Sequence, residues 1–90
     1  MKVIKIGAVW CPGCLVMRPI WKKINEKYDL DITEYDLDMD EDIVKTYNIG
    51  EKLPVVIFLD DNNNEIKRYI GEKTFDELDK IISYHMEDVL

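Results

Sequence analysis

The pattern of apolar and polar positions in the first half of the chain predicts strands and a long helix. Val3 to Val9 is β-rich with Lys5 as its single charge, which predicts a buried strand. From Pro12 to Tyr28, apolar side chains recur at spacings of three and four, which predicts a helix with one packed face. Pro19 removes a backbone hydrogen bond and predicts a bend in that helix. Asp31 to Leu37 alternates imperfectly and predicts a second strand.

The middle of the chain predicts a short helix followed by a β-hairpin. Acidic residues begin a helical segment over Asp40 to Tyr47, and the residues Asn48 to Gly50 suit a left-handed helix end. Val55 to Leu59 is a fully apolar strand candidate. The polar cluster from Asp60 to Asn64 predicts a turn that joins it to a strand over Ile66 to Ile70.

The last segment predicts a helix that begins with a capping box. Thr74 is followed three residues later by Glu77, and this spacing lets each side chain bond the other residue's backbone N–H. His85 falls on the apolar stripe, so we expect it to be packed rather than catalytic. The packed face is expected to contain Phe75, Leu78, Ile81, Ile82, His85 and Val89.

The order of these elements predicts an α/β fold. Strand, helix, strand, helix, strand, strand, helix indicates a βαβ unit, a further helix, a β-hairpin and a C-terminal helix around one four-stranded mixed sheet. At 90 residues, the chain is expected to form a single domain over residues 1–90.

Composition narrows the function classes. With 19 acidic and 12 basic residues the net charge is -7, which disfavours nucleic-acid binding. No apolar run is long enough to cross a bilayer, and the first residues lack the apolar core of a signal peptide. We therefore expect a cytoplasmic, monomeric protein without a membrane or nucleic-acid partner.

Cys11 and Cys14 are the candidate reactive residues. In a reducing compartment, two cysteines separated by two residues indicate redox or metal chemistry. Cys11 falls where the strand meets the helix, so helix N–H groups should stabilise its thiolate, which makes it the candidate nucleophile. Cys14 lies one turn later and is expected to be the more buried, resolving thiol. Pro12 suits the first helical turn.

These residues resemble the active site of the thioredoxin family. The segment from Trp10 to Cys14, Pro19, the segment Leu53-Pro54-Val55 and Gly71 are similar to that family over nearly the whole chain. The resemblance implies a cis peptide bond at Pro54 and backbone hydrogen bonds from Leu53 to a substrate strand. It also implies a protein-disulfide oxidoreductase of minimal, glutaredoxin-like size. Such an enzyme needs no bound cofactor and is reduced by a reductase or by glutathione.

The chain departs from that family in three places. The first strand and helix of full-length thioredoxins have no counterpart, and the centre of the motif is Pro12-Gly13, which leaves the redox potential open. Lys5 stands where the family keeps a buried Asp, and Asp36 stands where it keeps a Lys. If Lys5 lies beneath the cysteines it favours the thiolate, with Asp36 partly holding the ammonium. The alternative is a solvated Lys5.

Other interpretations of the same residues stay open. A binding module of this fold would use a groove around Trp10 and Pro54 while the thiols stay idle. In the enzyme, Trp10 would instead form an apolar docking surface with Pro12 and Leu53. A zinc or metal-delivery site is disfavoured because His85 is the only further ligand of the preferred type. The acidic stretch from Asp29 to Asp42 is expected to be a solvated face.

Overall fold

Four strands form one mixed sheet in the order β2-β1-β3-β4. The computed structural model describes residues 2–89, and side chains over residues 2–86. β1 pairs in parallel with β2 and antiparallel with β3, and β3 pairs antiparallel with β4. The predicted α/β fold with a four-stranded mixed sheet is confirmed. The elements are β1 (Lys2–Gly7), α1 (Pro12–Lys27), β2 (Asp31–Asp36), α2 (Glu41–Thr46), β3 (Val55–Leu59), β4 (Glu65–Ile70) and α3 (Phe75–Val89).

The sheet has two covered faces because successive side chains of each strand point to opposite sides. On the α1/α3 face, Val3 of β1 and Phe58 of β3 pack against both helices. On the α2 face, Ile4 and Ile6 of β1 pack with Val44 of α2. The buried core of the α1/α3 face contains Val3, Met17, Trp21, Ile24, Val56, Phe58, Leu78 and Ile82, and that of the α2 face contains Ile4, Ile6, Val44, Val55, Ile57 and Leu59.

One predicted boundary near the cysteines differs from the structure. β1 ends at Gly7 rather than Val9, because the chain turns and the N–H of Cys11 donates to the carbonyl oxygen of Ala8 at 3.1 Å. Val9 is consequently 72% exposed despite its apolar side chain. α1 is continuous through Pro19, and the bend expected there stays a prediction.

The predicted helix ends are mostly confirmed. After α2, Asn48 adopts φ 54, the left-handed conformation expected there. Thr74 and Glu77 exchange side-chain to backbone hydrogen bonds of 3.1 and 3.2 Å, so the capping box is present. The prediction that an acidic side chain caps α2 is wrong. The Asp40 carboxylate does not cap the helix and instead accepts the N–H of Asp36 at 2.8 Å.

The expectation that His85 is a packed residue is confirmed. The residue is 3% exposed, and its ring stacks on Phe58 at 5.0 Å and contacts the Tyr69 hydroxyl through Nε2 at 2.8 Å. The predicted contact of Val89 lies outside the described side chains. Within residues 2–89, no helix is long and apolar enough to span a membrane.

The strand register brings the cysteine segment, residues 10–14, and the Leu53-Pro54 segment to one end of the sheet. β1 ends at Gly7, opposite Asp36 of β2, and Ile6 lies beside Val55, the first residue of β3. Because β1 and β3 are antiparallel, the segment after Gly7 and the segment before Val55 leave the sheet at the same edge. The cysteine loop therefore meets the Leu53-Pro54 segment.

Candidate active site

Cys11 is the N-cap of α1. Its backbone is extended (φ -83, ψ 111) and its Sγ accepts the N–H of Cys14 at 3.3 Å. Pro12 occupies the first turn, where a missing N–H leaves no helical hydrogen bond unmade. The predicted placement of Cys11 at the helix start is confirmed, and the position supplies N–H groups and a partial positive charge that favour a thiolate.

Cys14 lies against the end of β1. A Cβ atom at position 7 would lie 2.8 Å from the Sγ of Cys14, so Gly7 provides the space that this sulfur occupies. Burial, followed by the hydrogen bond to Cys11, raises the pKa of the Cys14 thiol to about 11. Both cysteines are free thiols. At neutral pH, Cys14 is therefore a protonated thiol.

The expected order of burial is wrong. Cys11 is the more buried residue, at 4% exposure, and Cys14 is only partly covered. The reason is the capping hydrogen bond, which turns the Cys11 sulfur back over the first turn of α1. The lower exposure of Cys11 therefore does not identify the attacking thiol; the helix N–H at Cys11 and the raised pKa of Cys14 distinguish the two.

The Leu53-Pro54 peptide bond is cis, as the resemblance implied. Pro54 lies beside the cysteine loop, since a Cβ at Gly13 would lie 3.2 Å from its Cδ. The carbonyl oxygen of Pro54 accepts the N–H of Gly71 at 2.8 Å. Residues of three separate loops, 10–14, 53–54 and 71, therefore meet around the thiols.

Trp10 is held in place although 60% of its surface is exposed. Its indole Nε1 donates to the Oδ2 of Asp38 at 2.7 Å. Sequence reasoning missed Asp38 by treating the acidic stretch as a solvated face. No local pattern in the sequence marks this contact, because Trp10 and Asp38 are 28 residues apart. The exposed apolar side chains near this loop are Val9, Trp10, Leu15 and Val16.

The ammonium of Lys5 pairs with Glu34, and the expected pair with Asp36 is absent. Lys5 Nζ lies 2.6 Å from Glu34 Oε1 and 4.7 Å from the ring centroid of Trp21. The register places Lys5 opposite Glu34 and Gly7 opposite Asp36. The Asp36 carboxylate instead accepts the N–H groups of residues 38 and 39 at 2.9 and 3.0 Å. The side chain of Lys5 is 19% exposed, so it is neither fully buried nor freely solvated.

A cavity of about 280 Å³ connects Cys14 to these charged residues. Lys5, Asp36 and Asp40 line it together with Cys14, and Pro54 closes one side. Cys14 therefore has polar groups and space beside its thiol. Among residues 2–86, no cluster of three or more His, Cys, Asp or Glu side chains is arranged to hold a metal ion.

A helix-capping thiol, a second thiol one turn later and a facing cis proline on this mixed sheet define a thioredoxin-type site. The chain belongs to the thioredoxin family, since the family model described as Thioredoxin matches residues 1–84.

Known relatives agree with this family. The chain is 34% identical over 71 residues to Thioredoxin H5 of Oryza sativa subsp. japonica (77% of this chain, 50% of that protein). It is 30% identical over 59 residues to a thioredoxin of Borreliella burgdorferi (63% of this chain, 50% of that protein). The chain thus aligns with about half the length of these curated relatives. Thioredoxin 1 of Thermosipho africanus has a similar structure, with a TM-score of 0.84, 26% identity and coverage of 99% of this chain and 98% of that one.

Proposed function

We propose that the protein reduces disulfide bonds in other proteins, with Cys11 as the attacking thiol and Cys14 as the resolving thiol. The observation that carries this proposal is the difference between the surroundings of the two thiols. Cys11 Sγ accepts a helix N–H, whereas burial raises the pKa of Cys14 to about 11. A pKa of about 11 leaves about one Cys14 in 10,000 ionised at pH 7. Cys11 is therefore the group that attacks first.

The exchange proceeds in two balanced steps. The Cys11 thiolate attacks one sulfur of the substrate disulfide, so that a bond forms between Cys11 and that sulfur while the other substrate sulfur leaves as a thiolate. Cys14 then loses its proton and attacks the Cys11 sulfur, which releases the second substrate sulfur. The substrate gains two electrons, and the protein holds a disulfide between Cys11 and Cys14.

The proton of Cys14 leaves into the cavity that this residue lines. The carboxylates of Glu34, Asp36 and Asp40 line the same cavity and can accept hydrogen bonds from water there. The cavity supplies the space for water between them and the thiol. This arrangement supports the second step despite the high pKa of Cys14.

The substrate would dock on the surface formed by Trp10, Pro12, Gly13, Leu53 and Pro54. Trp10 supplies exposed apolar area and is held by Asp38. Pro54 has no N–H, so backbone hydrogen bonds to an extended substrate segment would come from Leu53.

The proposal requires no bound cofactor. Electrons would return from a thioredoxin-type reductase or from glutathione, in a reducing compartment such as the cytoplasm, and the protein would act as a monomer. The pair Cys11 and Cys14 is itself the redox centre.

Turnover of a disulfide-bonded protein with excess dithiothreitol tests this proposal. We expect many turnovers for the unmodified protein and no rate above the uncatalysed reaction for Cys11→Ser. Reduced Cys14→Ser, freed of dithiothreitol and then mixed with the same substrate, should form a stable mixed disulfide. Trapping by Cys11→Ser instead would reverse the assignment. A binding module would capture at most one substrate per molecule, and a metal-delivery protein would retain stoichiometric metal when purified under reducing conditions.

A further inference from the structure

Glu72 lies against the cysteine loop. A Cβ atom at position 13 would lie 2.9 Å from both Cγ and Oε1 of Glu72. The same Cβ would lie 3.2 Å from Cδ of Pro54. The carboxylate of Glu72 therefore rests on Gly13, between the two cysteines in sequence and beside the proline.

The backbone before Glu72 is tied to the same site. Gly71 adopts φ 96, a conformation that favours glycine, and its N–H donates to the carbonyl oxygen of Pro54 at 2.8 Å. This hydrogen bond fixes where the Glu72 side chain leaves the backbone. The contact with Gly13 is thus a consequence of the loop arrangement around Pro54.

Two carboxylates contact the cysteine segment. Asp38 accepts the hydrogen bond of Trp10, and Glu72 contacts Gly13. The neighbouring ammonium of Lys73 is directed to the carbonyl oxygen of Ile70 at 3.5 Å. Among the described side chains, no Lys or Arg donates a hydrogen bond to Glu72 or Asp38. The negative charge of Glu72 is therefore available to a substrate.

We propose that Glu72 selects disulfide substrates that carry Lys or Arg next to the reacting cysteine. This inference rests on the proposed function and on the docking surface described above. A substrate whose sulfur reaches Cys11 passes over Gly13 and Pro54, which brings the neighbour of its cysteine close to the carboxylate. A cation there gains Coulomb attraction during formation of the mixed disulfide, and an anion is repelled.

Three disulfide-linked peptides test the inference. Each is a symmetrical dimer with one cysteine per chain, and they differ only in the two residues flanking that cysteine, which are Lys, Gln or Glu. With dithiothreitol as reductant at low ionic strength, we expect kcat/KM to fall by about fivefold from Lys to Gln and again from Gln to Glu. In 0.5 M salt, this preference should shrink because charges at the surface are screened.

Glu72→Gln keeps the side-chain shape and removes the charge. Because flanking charges also alter the peptide thiols themselves, the informative quantity is the Lys-to-Glu ratio of kcat/KM compared between variants. We expect this ratio to fall by about tenfold in Glu72→Gln. Glu26→Gln, an exposed acid near the far end of α1, makes the same change in net charge and should leave the ratio as it is in the unmodified protein.

The outcomes separate the two claims. Failure of the unmodified protein to turn over the neutral Gln peptide would overturn the proposed function. Normal turnover with an unchanged Lys-to-Glu ratio in Glu72→Gln would overturn only the inference. A uniform change for all three peptides would also overturn it, because Glu72 would then be a steric cover over Gly13 and not a charge selector.

Discussion

The two faces of the sheet differ in how completely they follow the apolar pattern. On the α2 face, β1 contributes Ile4 and Ile6, and β3 contributes three further buried aliphatic side chains. On the α1/α3 face, β1 contributes Val3, but then Lys5 and Gly7. Along β1, the apolar pattern on this face breaks towards the end of the strand that leads to the cysteines.

The difference indicates which residues serve stability and which serve the site. Gly7 makes room for the Cys14 sulfur, and Lys5 pairs with Glu34 beside the cavity. A larger apolar residue at either position would extend the core towards Cys14. Departures from local sequence rules are expected at functional sites, and here they line the cavity beside Cys14.

Ile57→Ala should produce the largest effect, and this effect should be on stability alone. Ile57 is fully buried on the α2 face, so loss of its side chain should lower the free energy of unfolding by about 3 kcal/mol. Turnover per folded molecule should not change. Urea unfolding and active-site-normalised kinetics measure the two quantities. A fall in turnover per folded molecule alongside the loss of stability would show that the α2 face also shapes the site.

Gly7→Ala should act mainly on the site. Its Cβ would lie 2.8 Å from the Cys14 sulfur, so the thiol must shift. We expect the resolving step to slow by about tenfold, because a displaced nucleophile reacts poorly. Single-turnover release of substrate from the mixed disulfide measures this. Gly50→Ala is the matched control, since its Cβ would meet nothing within 4 Å, and similar slowing there would contradict the assignment.

The pH dependence of stability should report the environment of Cys14. Its pKa rises from the ordinary value of 9.0 to about 11 on folding, so the folded protein keeps a proton that the unfolded chain loses. The free energy of unfolding should therefore fall as pH rises from 9 to about 11. Denaturation at several pH values measures this slope. Cys14→Ala should show a shallower slope. Equal slopes in the two proteins would mean that folding does not shift the pKa of the Cys14 thiol.

The smallest expected effect concerns Lys5 and Glu34. Lys5→Met removes a positive charge beside the cavity, destabilises the thiolate form and should make the protein more reducing, by about 10 mV. Glu34→Gln frees the ammonium and should shift the potential in the opposite direction. Equilibration with glutathione buffers measures both. Shifts of the same sign would show that the ion pair does not act through its charge.

The strands and helices were predictable because each follows its own apolar period. β3 and α1 begin where the sequence places them, and Thr74 caps α3 as its spacing indicates. The strand was predicted to run to Val9 because the apolar run continues to that residue. The strand ends earlier because the chain turns there, and the hydrogen bond from the N–H of Cys11 to Ala8 closes that turn.

The site was only partly predictable. Cys11, Cys14 and Pro54 were found from their motif. Lys5 was assigned to Asp36, but the observed register places it opposite Glu34, and the sequence alone does not fix a strand register to within two residues. Asp38 and Glu72 are brought to the loop by tertiary contacts across long sequence separations. The only local signal for Glu72 was an acidic residue directly after Gly71.

Competitive alkylation tests the central claim most directly, because exposure and protonation make opposite predictions for the two thiols. Cys14 is the more exposed, but its thiol is protonated at neutral pH. Reduced protein treated with less than one equivalent of iodoacetamide at pH 7, then analysed by fragment-ion mass spectrometry, shows which sulfur reacts. The account predicts at least a roughly tenfold excess of label on Cys11. Label mainly on Cys14 would contradict it.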